Sequence, residues 1–393
     1  MTPAARVQSA IEVLDLVIAS VRREGASADR IAAEWFRTHR FVGSKDRRAI
    51  RDLVWQAIRT CGEVPMSGRA AMLALAAADP ALAALFDGSG YGPAAIVPDE
   101  PVAVAGLAPA WLEAQLAASD ITAEQGVGLL GRAPLDLRAN RLKTTRDALL
   151  AQLPVTAETT QAPDALRLPG GTPVETWPAF AEGLFEVQDT GSQLACRALA
   201  VQPGEAVVDL CAGGGGKTLA LAAALDGRGQ LLACDIDRAR LSRLPQRAAR
   251  AGALAEIRLL DPGRELVALA DWAGKADAVM VDAPCSGTGT WRRGPEARWR
   301  LTAQALARYA RMQADVLRIG GELVRPGGRL TYVVCSLLDA EGPDVIAAFL
   351  AANLQWRAAE QDVGAGTPRG AGLRLTPWDD ATDGFFFATL QRL

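Results

Sequence analysis

Two thiols stand where they could do chemistry. Asp-Ala-Pro-Cys at 282–285 and Tyr-Val-Val-Cys at 332–335 each place a cysteine, Cys285 and Cys335, just beyond a short apolar run. A cysteine buried within a strand serves as a small hydrophobe. One beyond the carboxyl end of a parallel strand faces the crevice where such sheets hold ligands, and as a thiolate it is a nucleophile. Pro284 and the Ser-Gly-Thr-Gly after Cys285 describe a tight loop rather than a core strand. The alternative, two inert thiols, stays open on spacing alone. Other chemistries are poorly supplied. His39 is the single histidine, and none of the six cysteines forms a Cys-x-x-Cys pair, so no metal site is expected.

The stretch Asp209 to Leu221, DLCAGGGGKTLAL, carries four consecutive glycines before Lys217 and Thr218. A phosphate-binding loop needs glycine five residues before the Gly-Lys-Thr, and Cys211 occupies that place. Gly-x-Gly-x-x-Gly fails as well, because Gly213 and Gly215 lead to Thr218. What remains is a strand, a glycine turn and a helix beginning near Lys217. Apolar runs then end in acids at Asp209, Asp235, Asp261 and Asp282. An acid ending the second strand can accept the hydroxyl hydrogens of a ribose, and Asp261 can accept an adenine amino group. A glycine turn with strand-end acids fits an adenosyl ligand without a polyphosphate. S-adenosylmethionine is one, its cationic sulfonium being suited to acids. A P-loop ATPase remains the rival, and a turn of purely structural use the plainer reading.

These residues need elements to hold them. The apolar runs recur 21–26 residues apart with helical segments at 217–225, 238–250 and 303–324 between them, the pattern of βαβ units in a mostly parallel sheet. Further runs, RLTYVVCS and GFFFATL, extend it. Residues 131–187 read as a small α/β module, and residues 188–393 as a Rossmann-like domain. Residues 1–130 read as all-α: Val7, Ala10, Ile11, Leu14, Val17, Ile18 and Val21 share one helical face, and Ile50, Leu53, Val54, Ala57 and Ile58 another. Between them lie Arg37, Arg40, Lys45, Arg47, Arg48 and Arg51, either a solvated face or an RNA backbone contact. Arg292, Arg293, Arg298 and Arg300, with Trp291 and Trp299, pose the same choice beside the Cys285 loop. Net charge is −3, half the residues are hydrophobic, and no apolar stretch is long enough to span a membrane, so a cytoplasmic protein is expected. A monomer is the expected state, although nothing in the sequence fixes it.

Taken together, DLCAGGGGKT, DAPCSGTG, TYVVCS and DGFFFA resemble the RNA cytosine-5 methyltransferases of the Sun family. FEVQDTGSQLACRAL resembles the segment leading into their catalytic domain, RFVGSKDRRAIRDLVWQAIR the NusB-like domain of the bacterial ribosomal RNA members, and PLDLRANRLKT their RRM-like module. The resemblance implies that Cys335 attacks carbon 6 of a cytosine, that Cys285 releases the product, and that Asp282 holds the cytosine edge. It implies S-adenosylmethionine against Cys211, Ala212, Gly213, Gly214, Gly215, Gly216 and Lys217, with Asp235, Asp261 and Asp282. It points to small-subunit ribosomal RNA. The alternatives are the same chemistry on tRNA or another RNA, and a non-catalytic RNA-binding assembly factor. Three departures stand out: Gly213-Gly214 replaces the usual Ala-Pro, Val333-Val334 the Ser-Thr before the nucleophile, and Asp339-Ala340-Glu341 the Glu-Asn-Glu after it.

Overall fold

The computed structural model describes residues 1–393. The chain forms two compact units. One is helical and comprises residues 1–131 together with 290–302; the other is α/β and comprises 132–289 and 303–393.

In the helical unit, α1 (Pro3–Arg22), α2 (Ala28–Thr38), α3 (Ser44–Thr60) and α4 (Gly68–Ala76) bury their apolar stripes in one core. Thr2 caps α1 by accepting from the Ala5 amide, with proline in the first turn. Gly68 lets α4 approach α1 closely: a Cβ there would lie 2.2 Å from the Ile11 carbonyl oxygen. The 290–302 segment completes this unit. Trp299 joins the core, and its indole donates to the Cys61 carbonyl at 3.1 Å. Of the basic residues around α2 and α3, Arg37 pairs with Glu34, Arg51 with Asp29, and Arg47 donates to the Val42 carbonyl. Arg40, Lys45 and Arg48 are exposed.

The α/β unit contains two sheets. The smaller is wholly antiparallel, in the order β2 (Glu158–Thr159), β3 (Ala165–Leu168), β1 (Leu135–Ala139), β4 (Phe185–Val187). Helices Arg146–Gln152 and Pro178–Ala181 lie between β1 and β2 and between β3 and β4. Leu137 and Ala139 on one face of β1 pack in the module's own core. Asp136 and Arg138 on the other face are also buried. Asp136 accepts from Arg167 at 2.7 Å and from the Thr190 hydroxyl at 2.6 Å, while Arg138 donates to the Gly216 carbonyl at 3.1 Å. Both faces of β1 are therefore buried in packing; Arg138 braces the glycine turn, and Asp136 holds the start of the helix Thr190–Ala198.

The larger sheet runs β7 (Glu256–Leu259), β6 (Gln230–Asp235), β5 (Ala206–Leu210), β8 (Ala276–Asp282), β9 (Val324–Val334) in parallel. It is mixed rather than mostly parallel. β13 (Phe385–Arg392), from the GFFFATL run, lies antiparallel to β9. β10 (Trp356–Ala358), β11 (Thr367–Arg369) and β12 (Gly372–Leu375) extend that edge with antiparallel pairings. Short connections explain the change: β11, β12 and β13 follow one another without the crossover helix that a parallel pair requires. The chain steps outward from β5 through β6 to β7, then returns to place β8 on the other side of β5. This reversal opens a crevice beyond the carboxyl ends of β5 and β8.

Candidate active site

The glycine turn leaves β5 at this reversal. Cys211 takes a positive φ of 70°, which is uncommon outside glycine. Gly215 (φ 86°) precedes the helix Gly216–Leu225, and a Cβ on it would fall 2.2 Å from Leu244 Cδ1. Of the two glycines that stand for the usual Ala-Pro, Gly214 leaves room for a Cβ, whereas Gly213 takes a positive φ of 55° with Arg240 Nη2 3.0 Å from where a Cβ would lie, so glycine suits this turn. Asp235 fixes the turn from the end of β6: its carboxylate accepts from the Gly213 amide at 2.7 Å and from the Asp237 amide at 2.7 Å. Each oxygen keeps lone-pair capacity for a ligand. Asp261 is exposed just past β7, and its side chain takes no hydrogen bond within the protein.

Asp209 turns inward instead. It is buried, accepting from Thr218 Oγ1 at 2.5 Å, with its other oxygen unpartnered. Burial pushes this carboxyl up to about 7, against the Thr218 hydrogen bond, and the nearby Asp282 charge adds to the rise. Because the folded value lies above the unfolded one, its contribution to stability is whole below about pH 4 and is lost as pH rises through 7, by on the order of 2–4 kcal/mol. An Asp209→Asn protein does not titrate here. Its melting temperature relative to the native protein should climb between pH 4.5 and pH 8. A difference that stays constant over that range would show that Asp209 ionises normally.

Lys217 projects from the first turn of the helix to Asp282 at the end of β8, Nζ to Oδ2 2.8 Å. Burial alone would lower this ammonium, but the Asp282 carboxylate overrides it and holds Lys217 well above the usual lysine range. The lysine that would serve phosphates in an ATPase is thus committed to an acid.

Register brings the thiols together. Asp282 on β8 is paired with Val333 on β9, so the residues just beyond both strands share one edge. Cys285 Sγ and Cys335 Sγ lie 3.4 Å apart. The hydrogen bond with Cys335, then burial, raises the Cys285 thiol well above its ordinary range. The other cysteines are placed differently. Cys61 and Cys196 are buried and pushed up to about 11, and Cys234 is buried within β6.

The arginine cluster requires correction. Arg298 is fully buried and donates to the Ile58 and Cys61 carbonyls at 2.7 and 2.9 Å. Arg300 donates to the Gly25 and Ala26 carbonyls, Arg292 is buried, and Trp291 and Trp299 are buried too. Only Arg293 of the four arginines is exposed. A charge cluster in the sequence did not reveal that backbone carbonyls were waiting for it. Sequence reasoning also missed Ser286, Gln313 and Ser336. With Glu341 they form a buried network behind the thiols, and its one sequence signal was the repeated Cys-Ser pair.

A glycine turn at the reversal of a parallel sheet, flanked by strand-end acids, defines a Rossmann-like methyltransferase fold. Residues 196–391 match the family model described as 16S rRNA methyltransferase RsmB/F, and the chain belongs to that family, within the Sun group. It is 39% identical over 266 residues to ribosomal RNA small subunit methyltransferase B of Klebsiella pneumoniae (strain 342), an alignment covering 66% of this chain and 59% of that relative. The chain thus spans about three-fifths of the relative's length. The crystal structure of PH0851 shares the fold over 100% of this chain and 99% of its own, with a TM-score of 0.79 and 23% identity. A methyltransferase homolog from Pyrococcus horikoshii covers 69% of this chain and 90% of its own, with a TM-score of 0.60 and 26% identity. No helix is long and apolar enough to cross a membrane.

Proposed function

We propose that the protein methylates carbon 5 of a cytosine in small-subunit ribosomal RNA. The observation that carries this reading is the pair of thiols 3.4 Å apart beside an acid at the sheet reversal. Carbon 5 of cytosine is a weak nucleophile. Cys335, as the thiolate, adds to carbon 6, and the electron pair of the carbon 5–carbon 6 double bond makes carbon 5 enamine-like. Asp282 bonds the cytosine edge and favours protonation of the ring nitrogen, which makes carbon 6 more electrophilic. S-adenosylmethionine, bound there, supplies an electrophilic methyl group. Once Cys335 is bonded to carbon 6 and no longer shares a hydrogen bond with it, Cys285 gives up its own proton to solvent and, as the thiolate, accepts the proton of carbon 5. Those electrons restore the double bond, and the bond from carbon 6 to sulfur breaks.

The residues of the turn suit this methyl donor. Gly213 to Gly216 present backbone without side chains, Asp235 has capacity for ribose hydroxyls, and Asp261 is open to an adenine amino group. Cys211 and Ala212 complete the wall. Calorimetry should detect S-adenosylhomocysteine binding that Asp235→Ala weakens. Tight Mg-ATP binding with no methyl-donor binding would reverse the assignment. Bisulfite sequencing of cellular RNA with and without the protein would name the target; methylation confined to tRNA would move the substrate while keeping the chemistry.

For the RNA itself we assign the NusB-like role to the helical unit, with Arg40, Lys45 and Arg48 as phosphate contacts. Arg293 is the exposed candidate from the second cluster. The strand order β2-β3-β1-β4 supports an RRM-like origin for the small module. Yet β1 and β3 carry no aromatic residue, and the polar face of β1 is buried, so base stacking there has no platform. Replacing Arg40, Lys45 and Arg48 together with alanine should flatten the salt dependence of RNA affinity by about two units of log–log slope. An unchanged slope would assign the face to protein contacts or to solvent. We further propose a monomer acting in the cytoplasm.

A further inference from the structure

Glu341 is 1% exposed and sits behind both thiols. Its Oε1 accepts from the Ser286 amide at 2.9 Å and from Gln313 Nε2 at 3.0 Å. Its Oε2 accepts from Ser336 Oγ at 2.6 Å and from Ser286 Oγ. Ser286 follows Cys285 and Ser336 follows Cys335, so the residue after each thiol ends on the same carboxylate oxygen. Gln313 also donates to the carbonyl of Pro284, which precedes Cys285, at 3.0 Å. Thr288 tightens the frame: its hydroxyl lies 3.0 Å from Ser336 Oγ and accepts from the Leu337 amide at 2.9 Å. About four lone-pair sites on a carboxylate are thereby used, all on the two cysteine loops and the helix behind them.

We propose that Glu341 is a positioning residue that sets the separation of Cys285 and Cys335. The catalytic part of this inference rests on the methyltransferase reading above; the geometric part does not. β8 and β9 bring the loops to one edge, but nothing in their ladder fixes a loop three residues past its strand to within a thiol's reach of its neighbour. The carboxylate does so by holding both serines. Without it the Cys285 loop loses its tie through Ser286 and keeps only the flanking bonds at Pro284, Thr288 and Gly289, while Cys335, directly after Val334, which is still paired with Phe386, keeps its place.

The first test needs neither RNA nor methyl donor. Diamide takes up the two electrons and two protons that two thiols release on forming a disulfide. In the native protein it should join the peptides containing Cys285 and Cys335, read by mass spectrometry. Glu341→Ala should slow that cross-link on the order of tenfold or more, because the effective concentration of one thiol at the other falls. Glu341→Gln, which keeps an oxygen for the Ser286 amide and Gln313, should slow it less. An unchanged rate in a folded Glu341→Ala protein overturns the proposal. The second test uses RNA and S-adenosylmethionine. Glu341→Ala should accumulate the covalent RNA adduct with both thiols present, since attack survives and release does not. Adduct and product falling together would mean a general structural loss and would also overturn it. Absence of methylation by the native protein would sink the methyltransferase reading and leave the cross-linking result to judge the clamp. Thermal melting and S-adenosylhomocysteine binding check folding; should Glu341→Ala fail to fold, Ser286→Ala combined with Ser336→Ala carries the same expectations.

Discussion

Replacing Cys335 with alanine is expected to lower methyl transfer by on the order of 10⁴–10⁶-fold, the scale seen when a nucleophile is removed from a working site. No other group activates carbon 5, so no covalent RNA should form either. Cys285→Ala should differ in kind. Addition to carbon 6 and methylation can proceed, but the proton on carbon 5 has no acceptor at 3.4 Å from the attacking sulfur. The RNA–protein adduct should then persist through denaturing gel electrophoresis. Adduct trapped by Cys335→Ala instead would exchange the two roles and make Cys285 the nucleophile. Full activity in both variants would return both thiols to the status of buried hydrophobes.

The second large effect is expected at Asp282. Asp282→Asn removes the partner of Lys217, whose side chain is only 11% exposed, and leaves an ammonium in a largely desolvated place. Stability should fall by about 1–3 kcal/mol, less than for a fully buried pair because Asp282 is itself 32% exposed. Methyl transfer should fall further, by about 10²-fold or more, since an oriented hydrogen bond to the cytosine is lost. Combining Asp282→Asn with Lys217→Met separates the two effects. The double variant should regain most of the melting temperature, having no unpaired charge, while activity stays low. Recovery of activity along with stability would reduce the pair to a structural ion pair.

Much of this site was legible in the sequence because strand ends are marked chemically. Apolar runs that stop at Asp209, Asp235, Asp261 and Asp282 announce where the parallel strands finish, and ligand chemistry gathers there. The roles of these acids were less legible. Asp209 resembles the others in sequence but faces Thr218 in the interior. Strand direction was hidden too: an apolar run such as GFFFATL has the same composition whether it lies parallel or antiparallel, and only the short links among β11, β12 and β13 decide it. Arg298 illustrates the limit of charge patterning, because its donors are consumed by carbonyls of residues more than two hundred positions away. Glu341 entered the sequence reading only within an altered Glu-Asn-Glu motif, and its four donors come from three separate stretches of chain.

The membership of residues 290–302 in the helical unit has a consequence for synthesis on the ribosome. Domains ordinarily complete their folding in the order in which they emerge. Here the first unit to emerge lacks Trp299 from its core, and the Ile58 and Cys61 carbonyls lack Arg298, until the chain has been extended beyond position 302. At about 5–20 residues per second this is a wait on the order of ten seconds or more. During it the helices carry an unfilled apolar site and orphaned backbone acceptors, the kind of surface that chaperones bind. The same debt makes excision of residues 1–130 a poor way to probe RNA binding, since the remaining chain would carry Trp299 and Arg298 with their partners removed.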